Sequence, residues 1–220
     1  MEIQVMRNIL GENDRTAAEN QALFKEKGVY VLNLMGSPGA GKTSLLEKTM
    51  EFLKDEIPMA VIEGDLFTSR DAERIEKHGV PVIQINTAGG CHLDAPMVQK
   101  TAQKLDLDKL ELLIVENVGN LVCPAEFAVG EDEKAVVLSV TEGDDKPMKY
   151  PLIFKESAIA LLNKVDILPY TNFDLAQAKE DITTLHPGMQ VLELSCTTGQ
   201  GIAEWCTWLR NRVKAKGKRA

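Results

Sequence analysis

The stretch TAGGCHLDAP, residues 87–96, sets a cysteine beside a histidine directly after two glycines. A thiol next to an imidazole can hold a metal ion, serve as nucleophile and base, or stand idle in a loop. The pair alone does not choose among these. A second motif is less ambiguous. GSPGAGKT, residues 36–43, matches the phosphate-loop pattern G-x-x-x-x-G-K-[ST]. In that pattern Gly36, Ser37, Pro38, Gly39, Ala40 and Gly41 form a loop whose backbone N–H groups converge on phosphate oxygens. Lys42 reaches the β- and γ-phosphates, the Thr43 hydroxyl is placed to ligate Mg²⁺, and Ser44 follows in the opening helix.

Phosphate-loop chemistry also needs an acid at the end of a neighbouring buried strand, to hold the metal shell or position water. LLIVE (112–116) supplies Glu116, and VIEGD (61–65) supplies Glu63 and Asp65. Strand alternation sends Glu63 and Asp65 to the same side, and the later one lies nearer the loop. Asp65 and Glu116 are therefore the expected acids. Arg70, close after Asp65, is a candidate charge-stabilising finger.

The choice of base is written in LLNKVD, residues 161–166. The Asp166 carboxylate accepts only, so it suits the N1–H and 2-amino group of guanine and is left unpaired by adenine. Asn163 serves the O6/N7 edge or ties loops together, and the Lys164 stem lies over the base plane. SCTTG (195–199), with Ser195 and Cys196, fits a further base-supporting loop. GTP is the expected nucleotide. ENVGN (116–120) places Gly119 where an N–H can meet the γ-phosphate, in a segment ordered by triphosphate and released on hydrolysis. Cys123 follows four residues later, a span of at most about 13 Å, so it must respond to events at Gly119.

These residues need a scaffold that brings loops to one edge. Seven apolar runs read as strands: 29–35, 59–64, 81–85, 110–117, 134–141, 158–164 and 190–195. They are continuous rather than alternating, the pattern of strands buried on both faces. Amphipathic stretches lie between most of them, at 42–56, 69–79, 95–105, 172–185 and 201–214. The alternation predicts an α/β fold, a three-layer P-loop NTPase sandwich with a mostly parallel sheet of about seven strands and helices on both faces. Residues 1–28 read as a helical lead-in, 29–213 as the nucleotide-binding domain and 214–220 as a basic tail.

Composition narrows the function classes. A chain of 220 residues, 44% hydrophobic and 26% charged, has material for one substantial core. A net charge of −8 argues against nucleic-acid and anionic-membrane partners. The first fifteen residues hold no apolar signal region, and no apolar run is long enough to span a bilayer. Four scattered cysteines do not form a disulfide framework, so a reducing cytoplasm is expected.

Taken in order, GSPGAGKTS, GGCHLDAPMV, ENVGNLVCPAEF, TEGDDKPMKYP and NKVDILPY resemble the HypB family, the GTPases of nickel insertion into [NiFe]-hydrogenase. The resemblance covers roughly residues 12–213 and places the chain in the signal-recognition/MinD-like (SIMIBI) branch of P-loop GTPases. The urease counterpart, UreG, is similar in fold but carries a Cys-Pro-His motif that is not seen here.

The resemblance implies that Cys91, His92 and Cys123 form a nickel or zinc site at a nucleotide-dependent homodimer interface. It also implies a HypA-type nickel metallochaperone and a hydrogenase large-subunit precursor as partners. Ligand chemistry agrees: two thiolates and an imidazole suit Ni²⁺ or Zn²⁺ rather than Mg²⁺. Three ligands do not close the shell, so water or a second subunit must finish it. Residues 1–28 contain neither Cys nor His, so the tight N-terminal nickel site of some members is not expected in them.

The expected activity is slow GTP hydrolysis to GDP and phosphate, since no glutamine follows Gly119 to orient water, coupled to nickel handling. Lys42, Asp65, Glu116 and Gly119 are the expected catalytic set. Rival readings are a urease-type nickel GTPase, a small-molecule P-loop kinase with structural zinc, and a metal reservoir whose nucleotide only stabilises the fold.

Overall fold

The computed structural model describes residues 2–65 and 70–217, with side chains from 11 to 65 and from 71 to 217. The chain opens with helix α1 (Glu2–Lys27) and enters a seven-stranded sheet. The strands are β1 (Tyr30–Gly36), β2 (Met59–Asp65), β3 (Val82–Asn86), β4 (Leu112–Glu116), β5 (Glu133–Ser139), β6 (Ile159–Asn163) and β7 (Gln190–Glu193). Their order is β3-β2-β4-β1-β5-β6-β7, and every pairing is parallel. Parallel strands require crossovers, which helices supply: α2 (Lys42–Leu53), α3 (Arg70–Glu76), α4 (Ala95–Ala102), α5 (Cys123–Glu126), α6 (Lys146–Lys149), α7 (Pro151–Glu156), α8 (Leu175–Leu185) and α9 (Ile202–Lys216).

Strand alternation divides the core between two faces. Leu32 and Leu34 of β1, with Leu112 and Ile114 of β4, pack with Met50, Ile75, Trp205 and Leu209 from α2, α3 and α9. Val31, Leu113 and Val115 face the other way, onto Phe24 of α1 and Val98 and Ala102 of α4. Farther along that face, α7 and α8 cover Leu138 and Leu162 with Ile153, Phe154 and Ile182. Each such side chain, fully buried, contributes about 1.5–3 kcal/mol. The largest, Trp205, is satisfied as well as buried, because its indole N–H donates to Thr49 Oγ1 at 2.8 Å.

Prolines explain the short elements that a period reading passes over. Pro124, Pro147 and Pro151 sit in the first turns of α5, α6 and α7, where a missing N–H costs nothing. Residues 214–216, expected as tail, are the last turn of α9, and 218–220 lie outside the described residues. No helix among the described residues is long and apolar enough to cross a membrane. The loops that leave the carboxyl ends of all seven strands share one edge, the edge where open α/β sheets bind ligands.

Candidate functional site

The phosphate loop leaves β1 at the centre of that edge and turns into α2 at Lys42. Gly41 caps the helix at φ 98°, and a Cβ there would fall 2.4 Å from Asn163 Nδ2. Glycine is required on both counts. Lys42 Nζ donates to the carbonyls of Gly36 (3.4 Å) and Ser37 (3.3 Å), so its ammonium is folded back over the loop. Burial lowers its pKa, opposed by the negative field of Glu116 and Glu142.

Thr43 Oγ1 donates to Glu116 Oε1 at 2.8 Å, so hydroxyl and acid share one buried spot. Glu63 lies opposite Glu116 in the β2–β4 register. Glu116 Oε2 and Glu63 Oε2 are both buried without a hydrogen-bond partner among the described residues. Desolvation pushes the Glu116 carboxyl up to about 7, against Lys42 and the Thr43 bond. Desolvation and the Glu116 charge push Glu63 up to about 8. Orphaned oxygens beside a hydroxyl form an all-oxygen donor set that fits Mg²⁺. Asp65 ends β2 half-buried, and its carbonyl accepts from Thr87 N at 3.0 Å. The geometry thereby adds Glu63 to the acids expected from sequence. The Arg70 side chain lies outside the described residues. Arg74, which sequence reasoning missed, donates to Ser44 Oγ at 3.1 Å and to Glu47, fastening α3 to the phosphate-loop helix.

The loops expected to meet the base arrive from β6 and β7. Asn163 ties loops together: its Nδ2 donates to Ala40 O at 2.9 Å. Lys164 holds φ at 64°, a left-handed conformation rare for a side-chain-bearing residue, and its Nζ donates to Gly39 O at 2.7 Å. Asp166 is partly exposed at the start of the following turn. Ser195 is buried, with its hydroxyl accepting from Thr198 N, and Cys196 lies near Asn163 Oδ1 at 3.7 Å. Burial pushes the Cys196 thiol up to about 11 and Cys206, in the last helix, up to about 12, which suits inert structural thiols.

Cys91, His92 and Cys123 converge. Their ligand atoms lie within 4.8 Å of one another, the metal-ligating group found among the described residues. Cys91 Sγ is 2.9 Å from Cys123 Sγ and 3.4 Å from His92 Nδ1, and both cysteines are free thiols. The bond to Cys91 raises the Cys123 thiol pKa, and burial adds to it. Desolvation lowers that of His92, against the fields of Asp94 and Glu126, a direction that favours the neutral, ligating imidazole. The His92 ring stacks on Phe127, with centroids 4.0 Å apart at 28°. Phe127 has no signal in the sequence as a partner of histidine.

Backbone wiring joins this triad to the phosphate loop. Asn120 N donates to Gly36 O at 3.0 Å, an isolated bridge between the segment after β4 and the end of β1. The Asn120 side chain meanwhile donates to Cys91 O (3.3 Å) and accepts from Val122 N (2.9 Å). Asn117 accepts from Leu93 N at 2.9 Å and donates to Asn33 Oδ1 at 3.2 Å. Asp94 caps α4, accepting from Met97 N at 2.8 Å.

A family model described as "CobW/HypB/UreG, nucleotide-binding domain" matches residues 30–193. The hydrogenase maturation factor HypB of Escherichia coli K12 is 49% identical over 210 residues, which are 96% of this chain and 72% of that protein. The probable hydrogenase maturation factor HypB of Methanocaldococcus jannaschii is 39% identical over 212 residues, 96% of each chain. A crystal structure of HypB from Helicobacter pylori in complex with nickel has a TM-score of 0.88 at 38% identity, covering 95% of this chain and 99% of that one.

Proposed function

The chain belongs to the CobW/HypB/UreG family of nucleotide-binding proteins, and from that membership we propose that it is a GTP-hydrolysing nickel metallochaperone of hydrogenase maturation. Residues 29–213 act as the GTPase unit. Asp166 selects guanine, with Asn163, Lys164, Ser195 and Cys196 framing the base. The loop from Gly36 to Ser44 cradles the phosphates, with Lys42 on the β- and γ-oxygens. Thr43, Glu116, Asp65 and Glu63 hold Mg²⁺ directly or through water, and the ion supplies charge neutralisation on the phosphates. Gly119 offers its N–H to the γ-phosphate. Hydrolysis in the isolated protein is slow.

Nickel is cargo, held by Cys91, His92 and Cys123, and zinc fits the same donors. Triphosphate favours a homodimer in which a second copy or water completes the shell. Release delivers nickel to a hydrogenase large-subunit precursor, with a HypA-type protein as fellow carrier, in the cytoplasm.

One observation carries the coupling: Asn120 binds the phosphate loop with its backbone and the Cys91 carbonyl with its side chain. Movement of that segment on hydrolysis must reach both thiols. The experiment is nickel binding and oligomeric state measured together, with GDP and with a non-hydrolysable GTP analogue, on the unmodified protein and Cys123→Ala. Nucleotide-dependent affinity that Cys123→Ala abolishes is expected. Identical affinity and mass in both nucleotides would falsify the coupling.

A further inference from the structure

Helix α1 reaches the two ligand-bearing segments through two buried amides. Asn13 and Asn20 stand seven residues apart, on one face of the helix. Asn13 accepts from Ala95 N at 2.9 Å and donates to Ala128 O at 2.9 Å. Asn20 Nδ2 donates to Ala95 O and to Val129 O, both at 2.9 Å. Ala95 lies three residues after His92, and Ala128 lies five after Cys123. Each amide therefore spans the gap between the chain leaving His92 and the chain leaving Cys123.

Packing alone does not ask for asparagine here. The residues are 4% and 1% exposed, and around them Phe24, Val98 and Val129 make an apolar layer. Asparagine is a poor former of helix interiors, and burying its amide is costly unless bonded. Asn20 even leaves its Oδ1 buried without a partner among the described residues. Its donors are committed wholly to holding two segments. Gly130 shows how tight the seat is, since a Cβ there would fall 2.4 Å from Asn20 Cβ.

We propose that Asn13 and Asn20 are positioning residues of the nickel site: through Ala95, Ala128 and Val129 they lock the Cys91–His92 and Cys123 segments at the separation that two thiolates and one imidazole need around a single ion. The proposal rests on the reading of Cys91, His92 and Cys123 as the nickel ligands. Groups outside the ligand shell that orient ligands govern metal affinity by about 10–100-fold. The clamp belongs to α1 and bypasses the phosphate loop, so it sets how well nickel fits whichever nucleotide is bound.

The test titrates nickel into the unmodified protein, Asn13→Leu, Asn20→Leu and Asn13→Asp, following thiolate-to-nickel charge-transfer absorption and GDP affinity. Weaker nickel binding by about 10–100-fold is expected for the leucine variants, with an altered charge-transfer band and unchanged GDP affinity. Asn13→Asp keeps the acceptor for Ala95 N–H but sets its other oxygen against the Ala128 carbonyl, so it should weaken nickel binding at least as much as Asn13→Leu. Folded variants with the original nickel affinity and band overturn the proposal. Failure of the unmodified protein to bind nickel through these three ligands would instead sink the reading beneath it. Should the variants not fold, hydrogen exchange on the unmodified protein decides. Nickel should slow exchange at the Ala95 amide that Asn13 covers, and unchanged exchange there overturns the clamp.

Discussion

Gly119 lies so close to Pro38 that a Cβ on it would fall 2.7 Å from the Pro38 nitrogen and 2.8 Å from its Cα. The obstruction is backbone, which cannot step aside as a flexible side chain does. Gly119→Ala must therefore push the segment after β4 away from the phosphate loop. Single-turnover phosphate release should fall by about two orders of magnitude, the loss seen when one donor to a developing anion is removed. GDP binding should persist, because the base loops are untouched. Turnover at the original rate would show that the contact with Pro38 plays no part in hydrolysis.

Asp166→Asn exchanges an acceptor for a group that also donates. GTP affinity should drop by roughly 10²–10³, about two hydrogen bonds to a charged group. Xanthosine triphosphate should gain, since its 2-oxo group can accept from the new amide. Competition binding of the two nucleotides checks this. A parallel loss of both would mean damage to the loop rather than a change in base choice.

Phe127→Ala removes the ring on which His92 stacks at 4.0 Å. Such a stack contributes about 0.5–1.5 kcal/mol, so nickel affinity should weaken by up to about tenfold. GTP turnover without nickel should stay as it was. Calorimetric titration with nickel is the measurement, and no change in affinity would remove Phe127 from the site.

Tyr30 gives a pH dependence with a definite sign. Its hydroxyl donates to Glu133 Oε2 at 2.6 Å, and burial together with that bond raises its pKa above the ordinary tyrosine value. The unfolded chain releases this proton near pH ~10, whereas the folded chain retains it. Above that pH the unfolded state binds fewer protons, so stability falls as pH rises. Tyr30→Phe should be less stable by about 1 kcal/mol near neutral pH, yet lose less between about pH 9 and 11. Urea denaturation across that range checks it, and parallel curves for the two proteins would contradict it.

Strands buried on both faces announce themselves as continuous apolar runs. All seven are legible in the sequence within two residues of their observed bounds. The phosphate loop and the Asn163–Asp166 run are legible for a different reason: backbone approach and acceptor chemistry tolerate few residue types. What stays hidden depends on distance in space. Glu63 looks inferior to Asp65 until the register sets it opposite Glu116. Asn13 and Asn20 look like polar positions in a lead-in, because amides that bond backbone 75 to 115 residues away follow no period. The short helices between 123 and 156 begin at prolines, which a reader of periodicity takes for loops.

The site's parts are spread along the chain in a telling order. Asn13 and Asn20 come first, then Cys91 and His92, then Cys123, and last Lys134 of β5, whose ammonium donates to Ala125 O at 2.8 Å. A ribosome delivers them in that sequence. The β3-β2-β4 pairings bring the Cys91 and Cys123 segments to one edge, and the pairing of β5 with β1 then sets where Lys134 stands. The place of the Cys123 segment is therefore tied to a strand that comes after it in the chain, and the three side chains meet as a property of the completed sheet rather than of any one stretch of sequence.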